Sequence, residues 1–236
     1  YNEDILPLPS GIEQDEDGNI FAYFNLPGNE KGEITIQGYV EVGISDVKVD
    51  KNNSGDVADY DLGIVGKWLE PAPFWEVDSS KIQETALGIK GEETNVFELI
   101  KDTYDFVVEK IDYSQVKKFG INERIGALAT LNNGSGVCME YSDLFLSLMR
   151  AEGIPAQAVF GFGYDPLIDA TEQEPHQWVQ VYIPELDKWL DIDVTWGENG
   201  DAAVGGYLNH IYTHIASLSP EQHSEVVLTG FAIKDD

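Results

Sequence analysis

The first part of the chain shows the alternation of apolar and polar residues that is typical of β-strands. The segments 18–26 (GNIFAYFNL) and 33–44 (EITIQGYVEVGI) carry this pattern, and the turn-rich PGNEKG at 27–32 separates them. A third short strand is expected at 47–49, before a polar stretch rich in asparagine and aspartate. We therefore predict a small β module over residues 1–66.

After this module the apolar residues recur at the three- and four-residue spacing of amphipathic helices. Ser79 or Ser80 is placed to cap a helix that begins near Lys81. Further helices are predicted over 95–111 and 137–151. The last of these carries one apolar stripe, made of Tyr141, Leu144, Phe145 and Leu148.

Alternating strands are predicted next, over 156–162, 176–183 and 189–194. In the second strand, period-two alternation puts His176 and Trp178 on the face opposite three apolar residues. The third strand follows the turn PELDK and presents three side chains on one face, namely Trp189, Asp191 and Asp193. A hairpin of this kind can bring a carboxylate beside the imidazole of His176.

The charge balance narrows the possible partners. The 236 residues include 43 acidic and only 14 basic ones, for a net charge of −29. Such a charge repels phosphate backbones and anionic membranes, so no nucleic-acid partner is expected. No run of about 18 apolar residues occurs, so no membrane span is expected either. The acidity suits an extracellular or cell-surface protein or one from a saline habitat, and the start at Tyr1 suggests a trimmed form.

Cys138 is the single cysteine, which excludes an intrachain disulfide. It lies in the first turn of the predicted helix 137–151, directly after a glycine-rich turn. The unpaired N–H groups and the positive dipole end of a helix start favour a thiolate, which is a strong nucleophile. The alternative is that Cys138 is a small core residue at a helix start.

His176 is the histidine best placed to serve such a thiol as a base. A carboxylate on the neighbouring strand would fix its tautomer, but alternation alone does not choose between Asp191 and Asp193. A lone histidine at a strand start is otherwise usually a structural residue. The remaining histidines have no nucleophile nearby in sequence and no convincing zinc-ligand spacing; they are His210, His214 and His223.

Together these segments resemble the transglutaminase-like superfamily over about residues 67–225. The family's cysteine block, roughly GxCxxYAxLFxALLRAxGIPAR, corresponds to GVCMEYSDLFLSLMRAEGIPAQ at 136–157. The histidine block HAWxEVY corresponds to HQWVQVY at 176–182, and the aspartate block WxxVDPTW corresponds to WLDIDVTW at 189–196. The sequence departs from these patterns at two positions, with Val194 for proline and Gln157 for arginine.

The resemblance implies an α+β fold with a papain-like core, in which the cysteine-bearing helix packs on an antiparallel sheet. The catalytic domain would cover residues 67–236. Cys138 would be the nucleophile, His176 its base and Asp193 the residue that orients the base. Asp193 lies four residues past Trp189, as the family's aspartate does.

The resemblance also suggests which residues line the site and which reaction it catalyses. Gly136, Trp178 and Trp196 would line it, and Tyr113 or Gln115 would supply an oxyanion donor. The implied enzyme acts on peptide or side-chain amides through an acyl-enzyme, most simply as a protease-like hydrolase with no required cofactor. A protein-glutamine transglutaminase, which transfers the acyl group to an amine, or a deamidase, which transfers it to water, is the first alternative. A non-catalytic surface module on the same fold is the second.

A possible calcium loop lies at 50–61 (DKNNSGDVADYD). The residues at EF-hand-like ligand positions are Asp50, Asn52, Ser54 and Asp61. The alternative is a β-hairpin turn at NNSG, and no helix is evident before the loop. Calcium is therefore one of two hypotheses for this segment.

Overall fold

The computed structural model forms two compact units, residues 1–43 and 44–236. The residues it describes are 4–6, 8–25, 34–37, 48–115, 117, 123–163, 175–196 and 210–217. The predicted turn at 27–32 and the residues 38–44 of the second predicted strand lie outside these ranges.

Short antiparallel strand pairs make up the described part of the first unit. β1 (Asp4–Leu6) pairs with β4 (Thr35–Gln37), and β2 (Gly11–Gln14) pairs with β3 (Ile20–Tyr23). Asp15 closes the β2–β3 turn, since its side chain accepts the backbone N–H of Asn19 at 2.8 Å. The β character predicted for this part of the chain is present.

The second unit begins earlier than the sequence suggested, at residue 44 rather than 67. Two 3₁₀ turns (Val57–Asp59 and Gly66–Leu69) flank α1 (Leu62–Val65), and Val49, in the predicted third strand, lies in irregular backbone. Tyr60 and Val65 are buried in the core of the second unit. The Tyr60 hydroxyl also donates to the carbonyl of Tyr182 at 2.7 Å. These contacts make the segment part of the second unit.

Among the described residues, four longer helices follow: α2 (Ser80–Lys90), α3 (Val96–Lys110), α4 (Ala127–Asn133) and α5 (Cys138–Ala151). α5 is central, because it contacts α2, α3 and α4 as well as the sheet, and its residues from Glu140 to Arg150 are buried. Asn95 caps α3 by accepting the N–H of Glu98 at 3.3 Å. Within the described ranges, no helix combines the length and the apolar character needed to cross a membrane.

An antiparallel sheet covers one side of α5, with strand order β10-β7-β8-β9. Its strands are β7 (Ala156–Gly163), β8 (Pro175–Ile183), β9 (Lys188–Ile192) and β10 (His210–Ala216). A short parallel pair, β5 (Asp112–Tyr113) and β6 (Ser135–Gly136), leads into the start of α5. The predicted α+β fold, with the cysteine-bearing helix on an antiparallel sheet, is confirmed.

Candidate active site

Cys138 is the first residue of α5 and is partly exposed. The turn before it is tight: a β-carbon at Gly136 would lie 2.3 Å from the β-carbon of Glu140. Glu140 in turn accepts the backbone N–H of Val137 at 3.0 Å and pairs with the Lys117 ammonium at 2.5 Å. The lysine thus offsets a carboxylate that would otherwise oppose negative charge at the helix start. Gly136, predicted to line the site, is needed for this close approach.

His176 lies at the start of β8 and is nearly fully buried. Its Nε2 atom is 2.8 Å from Oδ2 of Asp193. The Cys138 side chain lies beside the ring and raises the pKa of the imidazole. Because Nε2 is engaged by the carboxylate, Nδ1 is the nitrogen left for the thiol. Trp196 and Trp178 stack on the imidazole with ring centroids at 4.7 and 6.1 Å.

Asp193 follows β9 directly and has no exposed surface. One carboxylate oxygen, Oδ1, accepts the backbone N–H groups of Thr195 at 2.9 Å and Trp196 at 3.2 Å. The other, Oδ2, is 2.8 Å from Nε2 of His176 and 2.8 Å from Nε2 of His210. The residue therefore ends the strand with a local turn and anchors two imidazole rings.

The charges of His176 and Asp193 stabilise each other inside the protein. Burial alone would lower the pKa of the His176 imidazole, but the Asp193 charge and hydrogen bonds to Asp193 and Cys138 raise that pKa to about 10. Burial would raise the pKa of Asp193, but the charge of His176 and hydrogen bonds from both histidines bring that pKa well below its usual range. Each partner therefore favours the charged form of the other.

Asp191 has different hydrogen-bond partners from Asp193. Its Oδ1 accepts the indole N–H of Trp178 at 2.9 Å and the side-chain amide of Gln180 at 3.0 Å. It lies opposite Gln180 in the β8–β9 register. The alternation of the strand allows either aspartate to be the partner of His176, and in the structure Asp193 accepts the hydrogen bond of the imidazole.

Buried polar contacts brace the helix of Cys138 against the strand of His176. The Ser142 hydroxyl donates to the carbonyl of Gln177 at 3.0 Å, and the Gln177 side-chain amide donates to Asp143 at 3.0 Å. Asp143 also accepts the indole N–H of Trp75 at 2.9 Å and an N–H of Arg124 at 2.7 Å. Since Asp143 and Gln177 are adjacent to the site in space and buried, this network fixes the separation of thiol and imidazole.

Two residues of the site were missed from the sequence, His210 and Gly163. His210 has no nucleophile nearby in sequence, yet β10 pairs with β7 and brings the His210 ring to Asp193. A β-carbon at Gly163 would lie 2.4 Å from the Trp196 ring. Gly163 therefore leaves the space in which Trp196 stacks on His176. No local motif marks either residue.

The predicted oxyanion donors lie on the segment that leads toward the site. Tyr113 ends β5 and pairs with Gly136 in the parallel ladder. Its ring is half-buried, with its centroid 6.4 Å from that of Tyr141. Gln115, two residues later, is exposed. Their role as donors stays a prediction.

The side chains of the predicted calcium loop make local contacts. Asp50 accepts the backbone N–H of Asn52 at 2.7 Å, and Asp61 caps α1 through the N–H of Gly63 at 2.9 Å. Ser54 is buried, and its hydroxyl lies 3.1 Å from the Asn95 side chain. The contacts of Ser54 and Asp61 support the backbone of the second unit, and calcium binding stays an untested prediction.

The family comparison agrees with the motifs. Residues 83–194 match the family model described as the transglutaminase-like superfamily. The matched range contains Cys138, His176 and Asp193. None of the curated proteins matches the chain.

Some solved structures are similar to the chain at low identity. A candidate cysteine protease from Cytophaga hutchinsonii is 21% identical with a TM-score of 0.54, over 70% of this chain and 50% of that one. The periplasmic domain of TgpA from Pseudomonas aeruginosa, bound to ethylmercury, is 22% identical with a TM-score of 0.44, over 58% of this chain and 50% of that one. The present chain therefore spans about half the length of the Cytophaga protein, and this likeness shows the fold alone.

Proposed function

We propose that this chain is a thiol hydrolase that cleaves peptide or side-chain amide bonds through an acyl-enzyme. The observation that carries the proposal is the continuous line of contacts from Cys138 to His176 to Asp193. A thiol at a helix start beside a buried imidazolium is activated as a nucleophile. A non-catalytic module on this fold would have no need of that line of contacts.

In the acylation step, the Cys138 sulfur attacks the carbonyl carbon of the amide and forms a C–S bond. Negative charge develops on the carbonyl oxygen, where the N–H groups of the first turn of α5 are available to receive it. His176 gives its Nδ1 proton to the amide nitrogen as the C–N bond breaks. The amine leaves, and a thioester remains on Cys138.

In the deacylation step, neutral Nδ1 of His176 takes a proton from water while the water oxygen attacks the thioester. The C–S bond breaks, the carboxylic acid leaves, and the thiolate–imidazolium pair is restored. Asp193 holds the ring by its Nε2–H throughout, so that Nδ1 keeps facing the sulfur. An amine that replaces water would give transfer instead, by the same steps.

The substrate proposed here is a protein or peptide. A net charge of −29 favours neutral or basic substrates over acidic ones, since like charges repel. The same acidity supports an extracellular or cell-surface location as part of the proposal. No metal or other cofactor takes part in the steps above.

Mass spectrometry of a casein and peptide panel, with and without an added primary amine, tests the proposal. We expect new peptide termini or conversion of glutamine to glutamate, and loss of both in Cys138→Ala with an unchanged melting curve. Amine adducts as the main product would show a transferase. Turnover retained in Cys138→Ala would overturn the thiol mechanism altogether.

A further inference from the structure

His210 makes a contact in the site for which the steps above have no use. Its Nε2 atom lies 2.8 Å from Oδ2 of Asp193, the same oxygen that His176 approaches at 2.8 Å. The His210 ring is buried, and its centroid is 5.5 Å from that of His176. It also meets the Trp178 and Trp196 rings edge to face, at 4.9 and 5.3 Å.

The Asp193 carboxylate determines which ring nitrogen of each histidine carries a proton. An ionised carboxylate only accepts hydrogen bonds, so both imidazoles must present an N–H at Nε2. Asp193 then has two donors on each oxygen, counting the backbone N–H groups of Thr195 and Trp196. With both oxygens held from two sides, the carboxylate plane has no freedom to turn away from His176.

A shared metal ion explains the geometry less well. His176, Asp193 and His210 form the one group of three potential ligands found within the described ranges, with their atoms within 4.8 Å of one another. Ligand atoms around a tetrahedral zinc ion with bonds of about 2.0–2.1 Å are about 3.3 Å apart. Both nitrogen–oxygen distances here are 2.8 Å, which is the length of a charge-assisted hydrogen bond.

We propose that His210 is a positioning residue, which locks the Asp193 carboxylate through its Nε2–H and thereby holds His176 in register with Cys138. The inference rests on the proposed function, because it assigns a further residue to the same site. His210 contacts Asp193, the residue that orients His176. It acts through Asp193, and its loss weakens the thiolate–imidazolium pair without removing a member of it.

The test follows the rate of Cys138 alkylation by iodoacetamide as a function of pH in the full chain. His210→Phe keeps an aromatic ring between Trp178 and Trp196 but removes the N–H donor. His210→Gln restores a donor of similar reach. His214→Phe is the matched control, since His214 lies on the same strand and stacks on Phe160 at 4.6 Å.

Alkylation slows as the pH is lowered, and we expect this slowing to begin about one pH unit higher in His210→Phe. The alkylation rate at pH 6 should therefore be about tenfold lower than in the unmodified chain. His210→Gln should recover most of the rate, and His214→Phe should match the unmodified chain. If His210 had a purely structural role, its replacement would change the melting temperature and leave the pH dependence of alkylation unchanged. An unchanged pH dependence of alkylation in folded His210→Phe therefore overturns the inference.

Two further results separate this inference from the proposed function. If the unmodified chain reacts like an ordinary cysteine, with a pKa near about 8.5, the proposed function falls and the inference falls with it. If His210→Phe does not fold, ¹⁵N NMR of the unmodified chain decides, because the inference requires the His210 proton on Nε2. A proton on Nδ1 alone would overturn it.

Discussion

Asp193 is the residue on which the polar contacts of the site converge. Its two oxygens order two imidazoles and the backbone of the following turn. Asp191, only two residues away, serves Trp178 and Gln180 instead. Neighbouring carboxylates of one hairpin therefore have separate tasks, and the consequences of losing each one differ.

Asp193→Asn should lower the rate of amide hydrolysis by roughly 10²–10⁴, because an amide N–H in place of Oδ2 favours the wrong imidazole tautomer. Asp191→Asn is the matched control: its remaining oxygen still accepts from Trp178 and Gln180, so little activity should be lost. Hydrolysis kinetics, with circular dichroism to verify folding, make the comparison. Equal losses in the two variants would contradict the assignment of Asp193.

At the scale of elements, another buried acid, Glu152, lies at the far end of α5. Thr103 of α3 donates to its Oε1 at 2.8 Å, and Lys90 of α2 donates to its backbone carbonyl at 2.7 Å. Within the described structure, Oε2 of Glu152 has no hydrogen-bond partner. Burial raises the pKa of this carboxyl to about 8, although the Thr103 hydrogen bond and Lys90 oppose the rise.

The raised pKa makes the helix contacts sensitive to pH. The folded chain binds the Glu152 proton more tightly than the unfolded chain, so its free energy of unfolding falls as pH rises from about 4.5 to about 8. Glu152→Gln should therefore be more stable than the unmodified chain at pH 8, by a few kcal/mol (about 1.4 per pKa unit). At pH 5 the two should differ little.

Urea titrations at the two pH values measure this difference. Glu84→Gln is the control, because Glu84 is exposed and lines the same shallow cavity as Glu152. It removes the same charge without removing a buried carboxyl. A pH-dependent gain of the same size in Glu84→Gln would mean that overall charge, and not burial of Glu152, is responsible.

The elements differ in how far the sequence predicts them. α5 and the β8–β9 hairpin were predicted because their apolar spacing and their motifs are local. β10 was not predicted: a register shift between Tyr212 and His214 breaks its alternation, and its partner β7 lies far back in the chain. His210 was missed for the same reason. The sequence also does not show that residues 57–69 belong to the second unit, because Tyr60 contacts Tyr182 only in the folded chain.

At the scale of the whole molecule, the net charge of −29 opposes compactness. Only two arginines occur, and both are used inside the fold. Arg124 pairs with Asp143, and Arg150 donates to the carbonyls of Glu70, Ala156 and Ser217. Lysines alone therefore offset the acidic surface, and mutual repulsion is strong at low salt.

Salt should stabilise the chain by screening this repulsion. Raising NaCl from about 0.01 M to about 0.5 M shortens the screening length several-fold. We expect a gain of about 1 kcal/mol, or about 2–4 °C in Tm. Calorimetry with NaCl and with choline chloride should give equal shifts, and a falling Tm would contradict the argument. A further rise in CaCl₂ at matched ionic strength would support the calcium loop at 50–61.

The order of the strands along the chain has a consequence for the time at which the site becomes complete. A ribosome releases β7, β8 and β9 in succession, and β10, which carries His210, follows them. The nascent chain can pair the first three strands as neighbours, whereas β10 must return past β8 and β9 to reach β7. Until then Asp193 has one ring donor instead of two. If His210 has the role proposed above, the thiol should gain its full reactivity only after β10 has been synthesised and has docked.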